Sequence, residues 1–214
     1  MSTLTLVRHG QAQADRLTEI GRQQARALAA YWGGRGEMFD EVYTGSLGRH
    51  RETERAVAEA YGETGRSWAN ARVLPELNEY DADGVLRVFA GEAIPADARE
   101  FQRVFEVSMT RWVDGPASDR ALETWPAFRD RVRAGLAKMM AGPAGRRVVA
   151  FTSGGPVGTL VAAALGAPDR AFLELNWRVR NTSLTTFVFS GGRFTLDSFN
   201  ALPHVDDEKL MTFR

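Results

Sequence analysis

At 214 residues the chain is long enough to bury one sizeable core. Its 27 Lys and Arg balance its 27 Asp and Glu, so it lacks the basic excess that draws nucleic acid or an anionic membrane surface, and any anion must be bound locally. The absence of cysteine excludes disulfides and thiolate chemistry and fits a reducing compartment.

Residues 2–7 read as a short buried strand that runs straight into Arg8-His9-Gly10. Ligands of open α/β sheets bind at the carboxyl ends of strands. An arginine there matches a phosphate with a planar fork of donors, and a neutral imidazole beside it can attack phosphorus and hold the phosphoryl group covalently. Met1-Ser2-Thr3 has neither the basic nor the long apolar region of a signal peptide, and the longest weakly polar run, 157–167, is too short for a bilayer. The expectation is a soluble, cytoplasmic protein with no membrane or nucleic-acid partner. Gln11, Gln13 and Asp15 follow on a loop, with Gln11 the candidate phosphate contact. Thr18 then caps a helix whose Ala25, Leu28, Ala29 and Trp32 recur at helical spacing, and Gly33-Gly34 closes it.

A second strand, 41–44, leads through Gly45-Ser46 into a charged helix over about 47–61. Arg49 stands in its first turn, where unpaired amides and the positive end of the helix dipole face the same strand end. Arg51 and Arg55 read as solvated charges paired with neighbouring glutamates. His50 points about 100° around the helix from Arg49 and is expected behind the site or at the surface. The loop Leu77-Asn78-Glu79-Tyr80-Asp81 carries carboxylates, and 84–142 is helical in pattern with Leu122, Trp125, Phe128, Val132, Leu136 and Met139 forming a core stripe. The stretch 92–97 with Tyr80, Phe89, Phe101 and Phe105 is expected either to cap a pocket or to pack in the core.

Val148-Val149-Ala150-Phe151-Thr152 is a third strand, followed by Ser153-Gly154-Gly155-Pro156 and a small-residue helix over 157–165, with Pro156 at its first position. Amides of Gly154 and Gly155 at that helix start suit phosphate. Segments 183–189 and 193–199, split by Ser190-Gly191-Gly192, form a hairpin whose exposed edge offers a route to a homodimer. Strands alternating with helices make one three-layer α/β/α domain over 1–214 with a mostly parallel central sheet. His9, His50 and His204 are the only histidines and none is at ligand spacing, so no metal is expected.

Taken in order, Arg8-His9-Gly10, Leu17-Thr18-Glu19-Ile20-Gly21, Ser46-Leu47 with Arg49 and Thr53, the Glu79 loop and Gly154-Gly155 resemble the histidine phosphatase superfamily over essentially the whole chain. The resemblance implies a phosphoglycerate mutase-like fold, His9 as phosphoryl acceptor, Arg8 and Arg49 as phosphate clamp, Glu79 (ahead of Glu76 and Asp81) as proton donor to the leaving oxygen, and no cofactor. It breaks at Ser153, where the family places a second histidine. Loss of one preorganised donor costs roughly 100- to 1,000-fold in rate, although the Ser153 hydroxyl and the Gly154 amide remain phosphate ligands. His204, Arg178 and Arg180 are left as sources of the missing charge, and a histidine near a chain end is more often exposed or packed. The implied activity is attenuated hydrolysis of a small-molecule phosphate ester through a phosphohistidine on His9. Mutase-type phosphoryl transfer and a binding protein that keeps the phosphate site without the chemistry are the alternatives.

Overall fold

The computed structural model describes residues 1–90, 97–115 and 119–213. In chain order the elements are β1 (Ser2–Arg8), β2 (Ala12–Gln13), β3 (Arg16–Leu17), α1 (Glu19–Arg35), β4 (Glu41–Thr44), α2 (Gly48–Gly62), β5 (Arg72–Val73), α3 (Ala82–Phe89), α4 (Ala98–Asp114), α5 (Trp125–Met140), β6 (Arg147–Thr152), α6 (Gly154–Leu165), α7 (Ala171–Arg178), β7 (Leu184–Ser190) and β8 (Arg193–Ala201). The central sheet runs β5-β4-β6-β1-β7-β8, parallel from β5 to β1 and antiparallel beyond. Arg8 lies opposite Thr152, and Thr44 opposite Phe151, so β1, β6 and β4 end together on one edge.

Helices cover both faces, which is why the central strand β6 is apolar on both sides instead of alternating with polar residues. On β6, Val149 and Phe151 pack with Leu28, Trp32 and Val57 of α1 and α2. Val148 and Ala150 face the opposite layer, with Trp112, Phe128, Leu160 and Phe172. The expected three-layer, mostly parallel architecture is the observed one, and among the described residues no helix is long and apolar enough to cross a membrane.

Three local readings change. Helix α1 passes through Gly33-Gly34 and ends at Gly36, whose φ of 65° supplies the left-handed turn. Gly33 serves packing instead: a Cβ there would sit 2.6 Å from the Thr64 methyl. Helix α6 begins at Gly154, which puts Pro156 third; the first-turn amides have no partner inside a helix, so proline is tolerated there. Helix α7 and the β2–β3 hairpin were not expected. Of the stretch 92–97, residues 92–96 lie outside the described residues; Phe101 stacks on Phe105, and Phe89 packs on the core.

Candidate active site

Where β1, β6 and β4 end, a cavity of about 360 Å³ is lined by Arg8, His9, Asp15, Arg49, Glu79 and Gly154, with Tyr80, Phe105, Trp177 and Phe213 among its aromatic walls. His9 is held on several sides by its backbone. Its N–H donates to Thr152 O (2.8 Å) and its carbonyl accepts from Asn181 Nδ2 (2.9 Å). The next amide, Gly10 N, donates to Thr53 Oγ1 (3.0 Å) on α2. The ring is fixed by Nδ1, 2.8 Å from Gly10 O. A carbonyl only accepts, so Nδ1 carries the hydrogen and the Nε2 lone pair is left for an electrophile. Burial foremost, then the charge of Arg8, His50 and the charge of Arg49, hold the His9 pKa well below the ordinary histidine range. The His9 imidazole is therefore neutral at physiological pH.

Arg8 is anchored by donating to Val179 O. Arg49 reaches Asp15 Oδ1 (2.8 Å), and the same carboxylate accepts from Gly48 N (2.7 Å) and Arg49 N (3.3 Å) at the start of α2. Burial alone would raise the Asp15 pKa; the two backbone donors and the Arg49 guanidinium outweigh it and hold the carboxyl below its usual range. Asp15 thus occupies the ground expected to attract phosphate. Its loop turns through positive φ at Ala14 (44°) and Asp15 (63°).

Glu79 is set by its neighbours. Arg131 donates to the carbonyls of Glu76 (2.9 Å) and Asn78 (3.1 Å), Thr152 Oγ1 donates to Leu77 O (2.6 Å), and Asn78 Oδ1 accepts from Ser46 N (2.8 Å). Its Oε2 then accepts from Gly155 N (3.1 Å) at the start of α6. Gly155 is required there, because a Cβ would lie 2.0 Å from Glu79 Oε1. Loss of water around the carboxyl raises its pKa, against the Gly155 and Tyr80 amides and the charges of Arg49 and Arg8. The competitor Glu76 is paired with Lys138 (2.5 Å), and Asp81 caps α3 through Gly84 N (2.9 Å).

The remaining sequence candidates take other places. Gln11 accepts the Thr18 hydroxyl (2.7 Å) through its side chain, while its amide is held by Gln24 Oε1 (2.8 Å). Ser153 is fully buried beneath the cavity floor, next to Gly154, and its Oγ lies 2.6 Å from His50 Nε2. His204 packs against Thr182 (3.0 Å) and Tyr31, away from the cavity lining, so it does not stand in for a second histidine.

His50 is the residue that sequence reading set aside. It is fully buried, and its ring centre lies 5.7 Å from that of His9. Burial lowers its pKa to about 3, with Arg49 adding to the shift and Asp15 opposing it, so it is neutral. The signal was available: His50, Thr53, Val57 and Tyr61 form the buried stripe of α2. The 100° step from Arg49 that argued against it turns it inward. Also unforeseen is the chain's last described segment, where Thr212 bridges Gln24 and Asn181 (2.8 Å each) and places Phe213 in the cavity wall.

A family model described as the histidine phosphatase superfamily (branch 1) matches residues 4–202. The chain is 31% identical over 196 residues to a probable phosphoglycerate mutase (GpmB) of Enterobacter sp. (strain 638), covering 86% of this chain and 84% of that one. Among solved structures it is similar to YhfR of Bacillus stearothermophilus, with a TM-score of 0.70 and 22% identity over 95% of this chain and 99% of that one. A phosphoserine phosphatase of Entamoeba histolytica, in complex with 3-phosphoglyceric acid, gives a TM-score of 0.65 and 22% identity over the same shares. At such identities the two structures share the fold.

Proposed function

Because the chain belongs to the histidine phosphatase superfamily (branch 1), we propose that it hydrolyses phosphomonoesters through a phosphohistidine formed on His9. The observation that carries this reading is a neutral imidazole, tautomer fixed by Gly10, in one cavity with Arg8, Arg49 and a carboxyl whose pKa is raised. His9 Nε2 attacks phosphorus in line with the ester oxygen; the P–O bond breaks and Glu79 passes its proton to the departing alkoxide. Arg8, Arg49 and the Gly154 amide take the charge on the phosphoryl oxygens, with the arginines as bidentate donors. In the second half, water gives a proton to the Glu79 carboxylate as its oxygen bonds to phosphorus, the P–N bond breaks, and inorganic phosphate leaves.

Hydrolysis of a phosphomonoester whose alcohol part carries no further negative charge is favoured over a phosphoglycerate mutase reaction by the lining. Among the described residues, Arg8 and Arg49 are the cavity's cations and both serve the phosphoryl group, while Asp15 and Glu79 are acids. A carboxylate-bearing substrate would find no further cation among the described lining residues. The test is phosphate release from an aryl phosphate at pH 5–8, with trapping of an acid-labile, alkali-stable phosphoenzyme. His9→Ala is expected to reduce both to background, and wild-type turnover in that variant would refute the assignment. Isomerisation of isotope-labelled phosphoglycerate without release of free phosphate would establish the mutase instead.

A further inference from the structure

We propose that His50 is a positioning residue for the nucleophile, acting with Ser153 as a buried neutral pair that keeps the His9 ring in place and dry from behind. The proposal deepens the phosphohistidine reading and rests on it for its kinetic half only.

Three observations converge. The ends of β1 and β6 are tied by His9 N donating to Thr152 O (2.8 Å), which sets His9 and Ser153 side by side. From α2, the His50 ring lies tilted by 35° against that of His9, and its Nε2 closes on Ser153 Oγ at 2.6 Å. Thr53, one turn on, holds Gly10 N from the same helix face, so one stripe of α2 supports both the ring and the backbone of the nucleophile. The space is made by Gly45: a Cβ there would stand 2.2 Å from His50 Nδ1.

The tautomer follows from the same packing. His50 Nδ1 is buried with no hydrogen-bond partner among the described residues. An orphaned acceptor is cheaper than an orphaned N–H, so the hydrogen belongs on Nε2 and is donated to Ser153 Oγ. No proton moves in this role. Where the family resemblance calls for an imidazole carried by the end of β6, this chain carries one on α2 and a small hydroxyl on β6. Ser153 Oγ already stands 2.6 Å from His50 Nε2, so a larger ring at position 153 would meet that of His50. The charged and titratable groups facing His9 are Arg8 from β1, His50 and Arg49 from α2, and Glu79 across the cavity, with Asp15 acting on His50.

The experiment is a pH titration of the His9 ring by NMR in the unliganded protein, alongside kcat and KM for aryl phosphate hydrolysis, in wild type, His50→Ala, His50→Gln and Ser153→Ala. His50→Ala opens a polar void that admits water. The His9 midpoint is expected to rise by about one unit as the ring is rehydrated. A nucleophile displaced by even ~1 Å loses about 100-fold, so kcat is expected to fall roughly 10- to 100-fold with KM within about threefold. His50→Gln keeps an N–H for Ser153 and fills the space, and is expected to restore the wild-type midpoint and most of kcat. Ser153→Ala removes a single oxygen, keeps the test decisive should the larger truncation fail to fold, and is expected to move the midpoint in the same direction. An unchanged midpoint in folded His50→Ala or Ser153→Ala, or a His50→Gln variant no better than His50→Ala, overturns the proposal. If wild type has no turnover, the phosphatase reading fails and the NMR titration alone decides the role of His50.

Discussion

In the proposed mechanism, Glu79 sets the pH dependence. A general acid must carry its proton when the ester oxygen leaves, and the loss of water around Glu79 raises its pKa, so kcat/KM is expected to be high below that raised pKa and to fall as pH rises through it. His9, with its pKa held low, adds no acid limb in the ordinary histidine range. Glu79→Gln is expected to remove the alkaline limb and cost about 10²–10⁴ in rate, read from pH–rate profiles of the two proteins. At this scale the sequence was uneven as a guide. Arg8, His9 and Arg49 could be named because each stands at a strand end or a helix start, places where side chains converge, whereas Glu79 is set ahead of Glu76 and Asp81 by the family resemblance. The step from Arg49 leaves His50 either behind the site or at the surface, although its helical spacing with Thr53, Val57 and Tyr61 marks the buried face; its pairing with Ser153 is a property of packing that spacing does not carry.

At the scale of elements, α2 is capped from a distance. Leu47 at its N-cap offers no side-chain acceptor, and Asp15 from the β2–β3 hairpin accepts its first amides instead. The same carboxylate pairs with Arg49, so an incoming phosphate dianion competes with it for both donors. Asp15→Asn keeps an acceptor and removes the charge; KM for a phosphate ester is expected to fall about three- to tenfold, since one unit charge at contact distance is worth about 1 kcal/mol or more. Thermal stability should drop by only a few degrees, the lost term being the ~0.3–1 kcal/mol of an anion at a helix start. A rise in KM would mean that Asp15 positions Arg49 rather than competing for it. The hairpin escaped sequence reading because Ala14 and Asp15 take left-handed backbone with no glycine to announce it. Helix α7 escaped because Arg170 at its N-cap makes no side-chain cap, whereas α1 declares itself through Thr18 and α5 through its apolar stripe.

For the whole molecule, three imidazoles buried in neutral form couple stability to pH, His9 being held well below the ordinary histidine range. His50 is shifted to about 3 and His204 to about 4, both by burial first. With folded values below the unfolded one, the unfolded chain binds more protons between the ordinary histidine pKa and those values. Their contribution is complete above about pH 6.5 and is lost as pH falls through the folded values. The melting temperature is expected to drop on the order of 10 °C from pH 7 to pH 4, at ~2–4 °C per kcal/mol for a chain of this size. His204→Asn should flatten part of that slope, which a calorimetric series in pH would measure; an unchanged slope would locate the acid sensitivity elsewhere. One feature of the sheet also governs how the molecule comes into being. Strand β1 lies between β6 and β7, with Thr3 opposite Arg147 and Val188. During synthesis the strand bearing Arg8 and His9 emerges well before either neighbour, and it waits unpaired while the ribosome delivers most of the remaining chain. The proposed site is therefore assembled late, and a nascent chain released before β7 would carry Arg8 and His9 without the strands that set them in place.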